Sequence, residues 1–290
     1  MAIKKDVLHM MYHILVIVVS AAFAFSLPET IEYVSRTLLV SRSYLENREL
    51  VLLVTEIAAA IVLIIAINSL VRGWRVQKWS SMAKLAGLTG VAPARSYFAR
   101  RSIKKLKQQE GPGRPVLLIA STGAQTFTDP AGDLHHVLRN CREAKIMLLD
   151  PLKEGVTARA KSLADPDVTP ESFRDQIIRS IDFLKELKAL QKNIRLKLYG
   201  EAPLLKLSIL GDYLFLQHYP SGLAVGTMPE YVLKHDREGG LFGIFYHYFI
   251  SRWFDTNVPE YDLDTDELVY RDKTGNEMRR EKFNEIAMEY

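Results

Sequence analysis

The stretch Pro115-Val-Leu-Leu-Ile-Ala-Ser-Thr-Gly-Ala-Gln-Thr-Phe127 is where the character of this chain changes. Val116 to Ala120 is a short, wholly apolar run that reads as a buried strand, and Ser121 to Phe127 reads as the polar turn that closes it. Downstream, similar runs alternate with amphipathic helices. A helix is expected over Ala131 to Cys141, then a strand over Lys145 to Asp150. Thr169 to Lys192 follows as a long helix, with Thr169-Pro-Glu-Ser as its start signal and Phe173, Ile177, Ile178, Ile181, Phe183, Leu184, Leu187 and Leu190 along one broad face. Ile194 to Tyr199 alternates as a strand. Leu204 to Ile209 and Tyr213 to Gln217 are two more, joined by the tight Gly211-Asp212 turn of a hairpin. Leu223 to Gly226 reads as a further strand, Leu241 to Phe254 as an aromatic-rich helix, and Glu267 to Arg279 as a hairpin about Lys273-Thr-Gly-Asn276. Strands alternating with helices predict an α/β domain with a mixed sheet over residues 113–290.

Upstream the composition differs sharply. Val7 to Leu27 contains no Asp, Glu, Lys or Arg, and Leu50 to Val71 contains only Glu56. Each is long enough, as a helix, to match the roughly 30 Å hydrocarbon core of a bilayer. Residues 1–71 are therefore expected to form a two-span transmembrane hairpin. Lys4 and Lys5 precede the first stretch, and Arg72, Arg75, Lys78 and Lys84 follow the second. Positive flanks stay on the cytoplasmic side, so the chain is expected in the inner, cytoplasmic membrane with both termini on the cytoplasmic side. Lys4-Lys5, the apolar core and Ala22-Phe-Ala24 also fit a cleavable signal, and that alternative leaves the later domain on the same side. Glu56 reads as a shallow carboxylate reaching the interface. His9 and His13 share a helix face without a third ligand.

Between the two parts, Arg72 to Lys107 carries ten Lys or Arg and no Asp or Glu. With Trp74, Trp79, Tyr97 and Phe98 it reads as a basic juxtamembrane connector, residues 72–112, with a helix from about Pro93 to Gln109. Attachment to anionic lipid headgroups is the expected role, ahead of nucleic acid, because a membrane span adjoins it. Gly111-Pro-Gly-Arg-Pro115 reads as the hinge that follows. A single cysteine, Cys141, excludes an intrachain disulfide framework and a cysteine-rich zinc site. No cofactor and no metal is expected.

Chemistry is sought at the strand ends, since ligands of open α/β sheets sit beyond the carboxyl ends of strands. Ser121, Thr122 and Gly123 offer hydroxyls and backbone N–H groups that could hold a phosphate. Asp150 ends the second strand, and Arg159 close behind could clamp a phosphate or lie on a solvated helix face. The third candidate is the hairpin Leu204-Leu-Lys206-Leu-Ser-Ile-Leu-Gly-Asp212 through Gln217-His218-Tyr219.

The order strand, helix, strand, helix, strand and hairpin over about residues 115–225 resembles one half of the phospholipase D superfamily. Its signature is His-x-Lys, four residues and Asp, then a Gly/Ser-rich segment ending in Asn. Lys206 stands at the lysine. Leu204 occupies the histidine place, Gly211 the aspartate place with Asp212 next to it, and His218-Tyr-Pro-Ser-Gly222 replaces the Gly/Ser segment. In that family the histidine takes up the phosphoryl group, so Leu204 removes the centre of the reaction. The resemblance implies a rebuilt catalytic set of His218, Lys206 and Asp212, or a non-catalytic domain that binds a phosphate-containing small molecule, a nucleotide signal or a lipid headgroup, as sensor or effector. It also implies a homodimer, because single-motif members pair two chains. A scaffold that recruits a partner through the acidic C-terminal segment is the third expectation.

Overall fold

The computed structural model describes residues 48–163, 165, 167–236 and 240–283, with the side chains of 48–56, 59, 75, 76 and 79 outside that description. The first expected span, with His9 and His13, lies outside the described residues. The chain divides into two compact units at Met82 and Ala83.

In the first unit, Leu50 to Val71 falls within one continuous helix, α1 (Arg48–Leu85). From Ile57 on, its apolar side chains point outward: Ile61, Val62, Ile65 and Leu70 are all more than half exposed. Among the described residues no helix is long and apolar enough to cross a membrane. Description of side chains in the second expected span begins only at Ile57, so Glu56 lies outside it.

The second unit is a mixed α/β domain built on one ten-stranded sheet in the order β1-β7-β6-β5-β2-β3-β4-β8-β9-β10. Its centre is β2 (Val116–Ile119), β3 (Glu143–Leu149) and β4 (Asn193–Tyr199), which run parallel. Leu118, Ile146, Leu148 and Leu196 are fully buried, as expected of central strands covered on both faces. One face of β4 lies beneath α6 (Leu241–Trp253), where Arg195 and Lys197 approach the ring of Trp253 and Arg252 approaches Tyr199. The other packs against α5 (Pro170–Ala189), which also contacts α4 (Glu154–Lys161). The helix start expected at Thr169 is built as a capping box: Thr169 Oγ1 accepts from Ser172 N at 3.1 Å, and Ser172 Oγ accepts from Thr169 N at 3.1 Å.

On the other side of β2 the sheet is antiparallel. β5 (Leu205–Leu210) and β6 (Tyr213–His218) form the expected hairpin, turned by Gly211 at φ +57°. Leu223 to Gly226 is not a strand. It belongs to a loop with a short 3-10 turn at Val225–Thr227, and the next strand is β7 (Glu230–Lys234). Pro220, Gly222 and Gly226 within twelve residues favour the turn over a ladder. The helix expected over 131–141 is confined to α3 (His135–Asn140), because residues 129–134 are taken up by turns.

The basic connector also resolves into structure. Leu88–Ala92 is β1, an edge strand antiparallel to β7, and Tyr97–Glu110 is α2, capped by Ser96. Both belong to the compact unit that begins at Ala83. The C-terminal segment adds β8 (Glu260–Asp262), β9 (Glu267–Arg271) and β10 (Glu277–Lys282). Its carboxylates are largely paired: Glu260 binds Arg195 through two contacts of 2.8 Å, and Glu267 binds Arg280 at 2.7 Å.

Candidate functional site

A cavity of about 680 Å³ opens at the end of the sheet where β2 finishes and β5 begins. Several elements build it, among them β6 with Gln217, β7 with Glu230 and α5 with Gln176. β2 runs into Ser121-Thr122-Gly123, and the antiparallel start of β5 brings Lys206 to the same end. α4 contributes Arg159, and α2 contributes Arg100 and Lys104 from the wall.

The turn after β2 is locked. Gly123 sits at φ +79°, and a Cβ there would come within 2.5 Å of the Phe127 ring. A π-turn (Ala124–Thr128) follows, with the amides of Thr126 and Phe127 both bonded to the carbonyl of Gly123. Thr122 Oγ1 donates to Gln176 Oε1 at 3.0 Å, and Ser121 N donates to the hydroxyl of Tyr219 at 3.0 Å. The hydroxyls expected at this turn therefore border the cavity with Thr122 held in a fixed direction.

Arg159 is 4% exposed and does not lie on a solvated face. Its guanidinium stacks 4.9 Å from the Tyr219 ring and donates to the carbonyls of Pro220 at 2.8 Å and Leu223 at 3.1 Å. Burial pulls its pKa below the ordinary arginine value, against a smaller opposing pull from Tyr219. Gln217, directly across the ladder from Lys206, holds the same loop through the carbonyls of Val225 and Met228. Arg100 donates to the carbonyl of Gly226, and Lys104 to that of Ala131 at 2.7 Å. None of Arg100, Lys104, Arg159 and Lys206 forms an ion pair among the described residues. The cavity thus gathers cations whose hydrogen bonds go to neutral groups, alongside Asp133, Asp165 and Glu230, which also line it.

One charged group beneath it is fully compensated. Lys107 of α2 is buried completely and bridges Asp133 and Glu230, the latter at 2.6 Å. Burial works to lower the Lys107 pKa, but the two carboxylates outweigh it and the value is raised. Burial likewise pushes Asp133 up, yet Lys107 and then Lys206 bring its carboxyl down to about 2. Asp133 therefore feels Lys206 while committed to Lys107.

The other expected residues are elsewhere. Asp150 is buried, but its carboxylate accepts from the Leu152 amide at 2.9 Å and closes the turn after β3; it does not line the cavity. Burial raises its pKa. Asp212 sits in the turn at the opposite end of the β5–β6 hairpin, beyond Leu210, which is itself four strand positions or about 14 Å from Lys206. His218 pairs with Leu205, one register step from the Lys206–Gln217 pair, so its side chain leaves the other face of the sheet and is exposed. The set His218, Lys206 and Asp212 is therefore not assembled around one point, because strand periodicity and hairpin length separate its members.

Sequence reading missed Tyr219, Gln217, Asp133 and Lys107. Only Lys107 left a signal: it falls four positions after Ile103, on the inward face of a helix otherwise polar.

No family model matches the chain, and no curated protein matches it. Among solved structures, it is similar to TrmBL2, an archaeal chromatin protein that shows a mode of DNA binding, at 16% identity over 70% of this chain and 68% of that one, with a TM-score of 0.32. It is also similar to phosphatidylserine synthase of Haemophilus influenzae at 12% identity over 58% of this chain, with a TM-score of 0.37, and spans 38% of that protein. Scores this low carry no argument about activity.

Proposed function

We propose that residues 83–290 form a binding domain for a small phosphate-containing ligand, tethered by the N-terminal apolar segments to the cytoplasmic face of the inner membrane. The observation that carries the ligand reading is the cavity itself. It brings Lys206, Arg159, Arg100 and Lys104 to one opening beside Ser121-Thr122-Gly123. Cations whose hydrogen bonds go to neutral groups gain most from a phosphate, because a charge-assisted bond is about twice as strong as a neutral one. The domain resembles the phospholipase D half in its expected order of elements, and binding without turnover suits a chain in which Leu204 replaces the nucleophile and His218 faces away. The tether reading is supported by the apolar, uncharged sequence of Val7 to Leu27 and by the helical course of Leu50 to Val71.

Thermal unfolding in the presence of pyrophosphate, a nucleoside diphosphate and glycerol 3-phosphate tests the first part. A binding compound at about a hundred times its Kd stabilises the fold by about 2.7 kcal/mol. Lys206→Ala abolishes that gain. A flat response to all three compounds removes the ligand reading. For the tether, protease added outside intact spheroplasts leaves residues after Val71 uncut, and cleavage there removes it.

A further inference from the structure

The α2 helix has two working faces. Ile103 and Lys107 turn inward, and Arg100 and Lys104 border the cavity. The outward residues are Phe98, Ser102, Lys105 and Gln109, spaced as one helical stripe and all exposed, and Tyr97 and Arg101, also exposed, stand at the rim where this face meets the cavity. Phe98 is 84% exposed and Tyr97 is 67% exposed, with their rings edge to face at 5.8 Å. Among the described residues these two rings pair with no other ring, and Tyr97 also lines the rim of the cavity. Arg95, Arg101 and Lys105 stand close to them in sequence, and none of the three is in an ion pair among the described residues. No acidic residue occurs from Arg72 to Lys107 to neutralise the face.

We propose that this outer face of α2 docks on a bilayer surface that contains anionic lipid, with Phe98 and Tyr97 at headgroup level and Arg95, Arg101 and Lys105 against the lipid charge. This rests on the membrane tether proposed above and specifies the surface that the domain turns to the bilayer. Aromatic rings with basic neighbours match an interface that is apolar within and negative without. The reach is adequate: only residues 86–96 separate α1 from α2, a path of at most about 40 Å. Nucleic acid would match the charge equally well. It is disfavoured because the sequence upstream, from Leu50 to Val71, is a long apolar stretch with a single charge.

The test uses the full chain in nanodiscs, with Phe98→Cys carrying an environment-sensitive fluorophore; Cys141 is buried and stays unlabelled. Leu190→Cys, at an exposed position after α5, is the comparison. In discs containing phosphatidylserine the label at 98 shifts to the blue relative to phosphatidylcholine discs, and the label at 190 does not. About 1 M salt, where the Debye length falls to about 3 Å, reverses the shift. Arg95→Gln with Lys105→Gln also reverses it, and Lys206→Ala does not. Equal emission at 98 in both disc types overturns the proposal, as does a shift given by single-stranded DNA and not by phosphatidylserine. Failure of the chain to enter discs at all overturns the tether and the docking surface together, whereas entry with equal emission overturns the docking surface alone.

Discussion

The ammonium of Lys107 lies 2.6 Å from Oε1 of Glu230, which joins α2 to β7 beneath the cavity, and Asp133 closes the bridge from the loop before α3. This cation also lies 4.8 Å from the Phe215 ring, so its stem and its charge are both enclosed. The helix that the sequence presents as a connector is thereby fastened to the domain by a buried charge network.

Lys107→Met leaves two carboxylates without their cation in a desolvated site. The loss of one partner from a buried ion pair costs about 3–5 kcal/mol. Urea unfolding of the single variant reads that loss. The triple variant Lys107→Met, Asp133→Asn, Glu230→Gln recovers most of it, because no uncompensated charge remains.

The same network sets an acid limb. The Asp133 carboxyl sits at about 2 when folded and near 3.9 when unfolded, so between these values the unfolded chain binds a proton that the folded chain does not. Its stabilisation is complete above about pH 5 and is lost as pH falls toward 2. Tm measured from pH 7 to pH 3 declines over that window, and Asp133→Asn makes the decline shallower while lowering Tm at pH 7.

Gly123→Ala tests the turn at the cavity. A side chain is strained at φ +79°, and the new Cβ meets the Phe127 ring, which is itself fully buried and cannot withdraw. Left-handed strain of about 1–2 kcal/mol adds to overpacking of about 1–3 kcal/mol. Equilibrium denaturation is expected to show a loss in the sum of those ranges, with any ligand response reduced as well.

His218 and Lys206 separate binding from catalysis. His218→Ala removes an exposed side chain on the far face of the hairpin, and ligand-induced stabilisation is expected to persist unchanged. Lys206→Ala removes a cation from the cavity, and the stabilisation is expected to disappear. A phosphodiesterase activity that vanished with His218 would contradict this placement.

Cys141 is 2% exposed and its thiol donates to the Leu138 carbonyl at 3.2 Å. Burial raises its pKa, opposed by Lys192 and a backbone hydrogen bond. Native protein is expected to resist thiol reagents at pH 8 and to react with one equivalent only after unfolding in guanidinium.

The alternation of apolar runs and helices, the helix start at Thr169 and the hairpin about Gly211 were legible in the sequence because each depends on neighbours within a few residues. So was the polar turn Ser121-Thr122-Gly123, since a buried strand must end in one. What tertiary structure alone decided was which of these groups meet. Lys206 and Gln217 share a cavity while His218, one step along the same strand, faces away, and that parity depends on the register between two strands. Asp212 looked adjacent to a motif by spacing, yet a hairpin carries its turn to the opposite end of the sheet from its start. The basic segment from Arg72 to Lys107 showed its charge but not its division, because Leu88–Ala92 becomes a strand only through hydrogen bonds to β7, some 140 residues later. Local pattern fixes elements; contacts between distant elements fix the site.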